Sequence, residues 1–321
     1  MGRASVLAAL TLPAALLTSC SDALDQAHTV QTRLNRIEQV TGAQVSTPSA
    51  DTGAVIEVTY NDTGGRRTLA RLIKEIDIVA DGADYPSYRL DLVPAEDDRD
   101  RLTVDDSFTG SDDEASVLDN WFATTAALLG DVRYRFEPGT EEIDVDSGAG
   151  IAHDVGEASR IRYGFPGTVW TFRDGDSAFV ATGRVSPTDV LLFQDAQRTV
   201  TSAVLPAPAT LWRLERRDGH VLLDVDVGFP GGSVPRGRLT IQRYGDAVER
   251  LAGAAIGAVR VASLPVTMRL VNVTPEGDDV FGYWVSDRRP VRGRDRLARG
   301  WDPWLTRLAQ QVPGQPAGSA T

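Results

Sequence analysis

Cysteine occurs once in this 321-residue chain, at Cys20, and histidine three times, at His28, His153 and His220. A single cysteine excludes any disulfide within the chain, so the fold has to be held by packing. So few thiols and imidazoles argue against a zinc site, which needs a full set of such ligands gathered at one point. Lysine is nearly absent: of 33 basic side chains only Lys74 is a lysine. The net charge of −12 argues against nucleic acid as a partner, because phosphate binding needs a basic footprint. After Cys20 no stretch approaches the roughly 18 consecutive apolar residues that cross a bilayer. The chain has no G-x-G-x-x-G or Walker loop; Gly228-Phe229-Pro230-Gly231-Gly232 leads into Ser233-Val234-Pro235 with no lysine to hold a phosphate. The G-x-S-x-G elbow of serine hydrolases is missing as well. No cofactor and no metal are expected.

What is present starts at the N-terminus. Arg3 is followed by Val6-Leu7-Ala8-Ala9-Leu10-Thr11-Leu12-Pro13-Ala14-Ala15-Leu16-Leu17. This apolar run has the size of a secretory h-region and is too short to span a membrane. Leu17-Thr18-Ser19 then precede Cys20, with small residues suited to cleavage between Ser19 and Cys20, and the polar pair Ser21-Asp22 follows. The segment resembles a bacterial lipoprotein signal peptide with its lipobox. That resemblance implies that Cys20 becomes the acylated first residue of a protein held on the outer face of the cell membrane. Together with the arginine-for-lysine bias it looks like an actinobacterial envelope protein. It covers residues 1–20 and is silent about the remainder.

A hydrophobic content of 42% supports a real core, and 24% charged residues suit a wetted surface. Residues 22–40 have Val30, Leu34 and Ile37 at helical spacing, and residues 41–53 read as a linker. Ile56, Val58 and Tyr60 alternate with polar residues, as in a half-buried strand. Leu69, Leu72, Ile73 and Ile76 form the stripe of an amphipathic helix. Strands at Tyr88–Leu92 and Leu102–Phe108, a helix carrying Leu118, Trp121, Phe122 and Leu128, and a strand at Val132–Phe136 follow. That order is strand–helix–strand–strand–helix–strand, the order of a ferredoxin-like split βαβ unit.

The same order returns further on. Phe179 and Ala181 mark a short strand, and Ser186-Pro187-Thr188-Asp189 is a strong helix start. Trp212 and Leu214 and then Val221–Val227 are strands around an Asp218-Gly219 hairpin turn. Tyr244–Leu251 is a helix, and strands follow at Val266–Val273 and Val280–Val285. The expected fold is α+β, with antiparallel sheets, helices on one face and two tandem ferredoxin-like (βαββαβ) units. The rival organisation is one larger mixed domain with the same elements. The expected boundaries are 1–19 for the signal peptide, 20–53 for an N-terminal helix and linker, 54–150 and 151–290 for the two units, and 291–321 for a basic, tryptophan-bearing segment with a disordered tail.

Four constellations could carry chemistry. The acidic run from Glu96 to Glu114 offers carboxylates to calcium, but Arg99 and Arg101 interrupt it and no EF-hand spacing is present, so a solvated loop is the simpler reading. Asp144-Val145-Asp146-Ser147-Gly148 lacks the remaining ligands of a calcium loop. His153-Asp154 and His220 are conceivable general bases, and Gly175-Asp176-Ser177 a conceivable nucleophile turn, although each is also ordinary hairpin or strand-end chemistry. Finally, Arg288, Arg289, Arg292, Arg294, Arg296 and Arg299 crowd ahead of Trp301 and Trp304. Arginines beside tryptophans suit an anionic lipid surface, which makes Arg292, Arg294, Arg296, Trp301 and Trp304 candidate membrane contacts. The alternative is a loop whose tryptophans cap the core.

The sequence therefore predicts a non-enzymatic, lipid-anchored binding or accessory module, whose partners are the membrane through Cys20 and an envelope protein or cell-wall component. Two alternatives remain: a carrier enclosing a lipid or other apolar ligand, and an envelope hydrolase with a site assembled from scattered residues.

Overall fold

The computed structural model describes residues 15–48, 53–61, 64–111, 114–148, 150–161, 165–175, 177–202, 204–262, 264–275, 277–287 and 297–312. The chain divides into two compact units, one up to Leu118 and one from Asp119 onward.

In the first unit, helix α1 (Ala15–Leu34) precedes strands β1 (Val40–Ser46) and β2 (Ala54–Tyr60), helix α2 (Gly65–Asp81), and strands β3 (Tyr88–Pro94) and β4 (Arg101–Asp105). β1 and β2 form an antiparallel hairpin, α2 crosses over, β3 lies parallel to β2, and β4 turns back antiparallel on β3. The apolar stripe Leu69, Leu72, Ile73 and Ile76 is the buried face of α2. It covers the side of the sheet that carries Ile56, Val58, Leu90 and Leu92, all essentially inaccessible. Val30 and Leu34 of α1 are buried as their spacing implies, but the helix ends there, and Val40 already opens β1.

Helix α3 (Ala115–Ala127) leads into the second unit. There follow β5 (Asp131–Glu137), β6 (Thr140–Asp146), α4 (Ile151–Ala158), β7 (Val169–Asp174), β8 (Ser177–Thr182) and α5 (Pro187–Val200). The unit continues with β9 (Ala209–Arg217), β10 (His220–Val227), α6 (Ile241–Arg260), β11 (Val266–Thr274), β12 (Gly277–Val285) and α7 (Ala298–Gln311). β5–β6, β7–β8, β9–β10 and β11–β12 are antiparallel hairpins, and each helix between two hairpins delivers the chain to a strand parallel to the one just left. The strands consequently lie side by side in chain order, β1 to β4 in the first unit and β5 to β12 in the second.

This corrects the expected fold class. The sheet is mixed, not antiparallel, and neither unit is ferredoxin-like. A split βαβ unit needs its crossover to skip a position so that a later strand can be inserted between two earlier ones. Here each crossover reaches only the adjacent position, and the repeated motif is strand–strand–helix.

Helices α4 to α7 cover one face of the strands of the second unit. Phe193 of α5 packs on Phe179 of β8 and stacks on Trp212 of β9. Trp212 is level with Val225, and Val225 with Leu270. Leu270 pairs with Gly282, and a side chain added at Gly282 would come within 2.9 Å of Leu305 on α7. Helix α6 packs on β10 and β11 between α5 and α7. α5 opens with a complete capping box, the Ser186 hydroxyl accepting from the Asp189 N–H and the Asp189 carboxylate from the Ser186 N–H. The alternate residues of the same strands point to the opposite face, which none of these helices covers.

Candidate functional site

That uncovered face carries charge in matched pairs. Arg135 stands opposite Glu142 across the β5–β6 hairpin, at 3.9 Å. Arg173 of β7 reaches Asp144 at 3.3 Å, and Glu215 of β9 holds Arg213 at 3.3 Å and Arg217 at 2.6 Å. Arg269 of β11 forks onto Asp224 of β10, its level neighbour in the parallel ladder. Contact with Asp224 holds the Arg269 guanidinium above its ordinary range. Asp226, two residues along β10, meets no such arginine among the described residues. Burial first, and then the carboxylates of Asp278 and Asp224, push it from 3.8 to about 6.

At the end of β10 the face opens into a pocket of about 420 Å³, lined by Asp218, His220, Pro265, Thr267, Tyr283 and Asp287, among others. The Asp218-Gly219 turn builds its rim. Both residues have positive φ, 48° and 71°, the pair of left-handed conformations that suits a tight two-residue hairpin. The turn sets His220 at the first position of β10, where Nε2 lies 2.9 Å from the Thr267 hydroxyl on β11. Tyr283 of β12 is level with Arg269 and forms a wall. The pair resembles a base beside a hydroxyl, but Thr267 is only 8% exposed. This arrangement can accept and donate hydrogen bonds and attract positive charge.

A second cavity, about 560 Å³, lies on the helical side at the start of α6 and α7, lined by Arg236, Leu239, Thr240, Ile241, Leu297 and Trp301, among others. It is predominantly apolar, and the guanidinium of its lining residue Arg236 is paired with Asp279.

The residues singled out in the sequence fall as follows. Cys20 lies within the span of α1, and its side chain is outside the described residues. Arg292, Arg294 and Arg296, residues 1–14 of the expected signal peptide, and the segment from residue 313 also lie outside them. Trp301 is 1% exposed, its ring edge-on to Phe281 and Trp304 and its Nε1 donating to the Leu239 carbonyl at 3.3 Å. Trp304 is half-buried beside it. The indole of Trp301 is therefore part of the core. Asp154 is buried, accepting from the Leu129 N–H at 3.0 Å and touching His153 Nδ1 at 3.2 Å. In the acidic run, Asp97 pairs with Arg99, Asp105 caps Ser107, and Glu114 accepts from Thr109. Among the described residues no group of three or more His, Cys, Asp or Glu could hold a metal ion.

One polar cluster had no sequence signal. Glu141 of β6 sits on the helical face, 3% exposed, where alternation calls for an apolar side chain. Its carboxylate accepts from the Tyr134 and Thr168 hydroxyls, from Asn120 Nδ2 at 3.1 Å and from the Phe165 N–H at 3.3 Å. Four donors replace the water that burial removes.

Compared with known protein families, curated proteins and solved structures, the chain matches none. Among the described residues no helix is long and apolar enough to cross a membrane.

Proposed function

We propose that this is a lipid-anchored, extracytoplasmic envelope protein, held on the cell membrane through Cys20, that acts as a non-enzymatic binding or accessory module. The observation that favours this reading is the one-sided sheet of the second unit. Helices cover one face, while the other presents rows of alternating charge along several strands. A broad polar surface on a rigid sheet suits recognition of another envelope protein or a cell-wall component, since specific interfaces draw on complementary charge and pre-formed backbone. The arginines of residues 288–299 add attraction to anionic headgroups in this reading.

Two experiments test it. Metabolic labelling with a fatty acid should tag the protein and lose the tag in Cys20→Ala; labelling independent of Cys20, or none, refutes the anchor. A photo-crosslinking residue placed at Arg173 or Arg213, on the uncovered face, should trap an envelope component in cells. The same residue at Leu191, an exposed position on α5, should not. Equal or absent trapping at both places refutes the face as the binding surface.

The second reading, a carrier of an apolar ligand, is favoured by the cavity near Trp301, whose volume suits a small apolar molecule. Enlarging Leu239 to Trp should abolish uptake of a fluorescent apolar probe if that cavity is used. Unchanged uptake argues against it.

A further inference from the structure

We propose that the outer face of α2 docks on an anionic lipid surface. Arg67, Arg71, Lys74 and Ile78 follow one another at helical spacing and form a single row, all four exposed. Arg67, Arg71 and Lys74 form no ion pair or hydrogen bond among the described residues. Glu75 and Asp77 flank the row, both half-buried, and Asp81 ends the helix beyond Ile78.

The row does not serve the helix itself. α2 has no acid in its first turn and no base in its last, the reverse of what the macrodipole favours. Arg67 and Arg71 are four residues apart and Arg71 and Lys74 three, spacings at which like charges repel. An anion outside the protein offsets that repulsion. On the other side of the same sheet the charges are closed among themselves. Asp91 holds Arg89, Arg101 and the Thr103 hydroxyl, and Glu57 holds Arg101 at 3.0 Å.

The apolar member of the row distinguishes lipid from other polyanions. Ile78 is 59% exposed and Leu24 of α1 61%, and these are the exposed large apolar side chains among the described residues of this unit. α1 packs on α2, and Leu24 lies one helical turn past Cys20. Bases that reach headgroup phosphates, beside aliphatic side chains that enter the acyl boundary, are what an interfacial surface requires. A nucleic acid or soluble polyanion offers Ile78 no apolar medium. The inference rests on the membrane reading proposed above and names the face turned to the lipid.

The test uses the full chain with a photo-crosslinking residue at Ile78, purified from membranes and reconstituted on vesicles of phosphatidylcholine, with or without phosphatidylglycerol. Retention on phosphatidylcholine alone reads the Cys20 anchor; lipid captured per retained protein reads the face. Capture at Ile78 should be about tenfold greater with phosphatidylglycerol. It should fall away at about 1 M salt, where the Debye length is about 3 Å. Arg67→Gln, Arg71→Gln and Lys74→Gln together should lower it by about tenfold, and glutamine, a good helix former, keeps α2 intact. Arg67→Lys with Arg71→Lys should retain it. A crosslinker at Gln44, exposed on β1 and level with Glu57 on the other side of the sheet, should capture little lipid. Retention without capture at Ile78, equal capture at Ile78 and Gln44, or unchanged capture in the triple variant overturns the proposal and leaves the anchor standing. Capture of protein in place of lipid also overturns it. No retention on either vesicle overturns both.

Discussion

The Asp302 carboxylate on α7 accepts a hydrogen bond from the backbone N–H of Tyr283 on β12, at 2.9 Å. Among the described residues β12 pairs only with β11, so its outer side presents backbone groups with no described strand to receive them. Asp302 is 1% exposed and satisfies one of these groups from a helix that also packs against the strand.

Asp302→Ala should therefore destabilise the second unit by about 1–3 kcal/mol, the cost of leaving a buried donor unmet. Asp302→Asn, which keeps an acceptor oxygen, should recover part of that loss. Urea denaturation followed by tryptophan fluorescence reads both; equal stability of the alanine variant and the parent would refute the role.

Glu141→Ala should be more damaging still. The buried Tyr134 hydroxyl would lose its acceptor, and Thr168, Asn120 and the Phe165 N–H would each lose one of the two acceptors they reach. A loss of about 3 kcal/mol or more is expected. Glu141→Gln should lose less, because it still offers one carbonyl oxygen. Denaturant midpoints separate the two.

Gly130 marks a close approach. A Cβ there would lie 2.6 Å from the Asp146 carbonyl oxygen and 2.8 Å from both Ser147 Cα and Asp154 Oδ2. Gly130→Ala should cost about 1–3 kcal/mol by overpacking. It should also disturb the Leu129–Asp154 hydrogen bond, visible as faster amide exchange at Leu129.

Asp226 predicts how stability varies with pH. Its folded pKa, about 6, is above the ordinary 3.8, so between these values the folded state holds more protons than the unfolded one. Stability contributed by this group is present at low pH and lost as pH rises from about 4 to about 6. Partial exposure screens the effect, leaving about 1 kcal/mol. Asp226→Asn should flatten this part of the profile and raise stability at neutral pH relative to the parent. A profile identical to the parent's would show that Asp226 does not titrate in this range.

Several elements were legible because burial writes its period into the residues. Val221, Leu223, Val225 and Val227 alternate with partly exposed residues, and Leu69 to Ile76 keep helical spacing, as the folded chain has them. β6 was hidden because Thr140-Glu141-Glu142-Ile143-Asp144-Val145-Asp146 offers only two apolar residues, its third inward position being Glu141. α4 spans only eight residues, too few for a clear stripe. β1, Val40-Thr41-Gly42-Ala43-Gln44-Val45-Ser46, has a register shift at its start and reads as linker. Topology left no trace, since parallel and antiparallel neighbours in a one-sided sheet show the same alternation. The pocket was half legible. Asp218, Gly219 and His220 were recognisable as a turn and strand start, but Thr267 lies 47 residues from His220 and meets it only through the parallel pairing of β10 and β11.

Strand order in chain order has a mechanical consequence for residues 119–321. Among the described residues of this unit, each strand from β6 to β11 is bonded only to its immediate predecessor and successor. A load pulling on the C-terminus first meets α7 and the β11–β12 hairpin, and their removal leaves the β9–β10 pairing intact. Extension under force should therefore proceed in steps of one hairpin and one helix, in reverse chain order, as in arrays whose units touch only their neighbours.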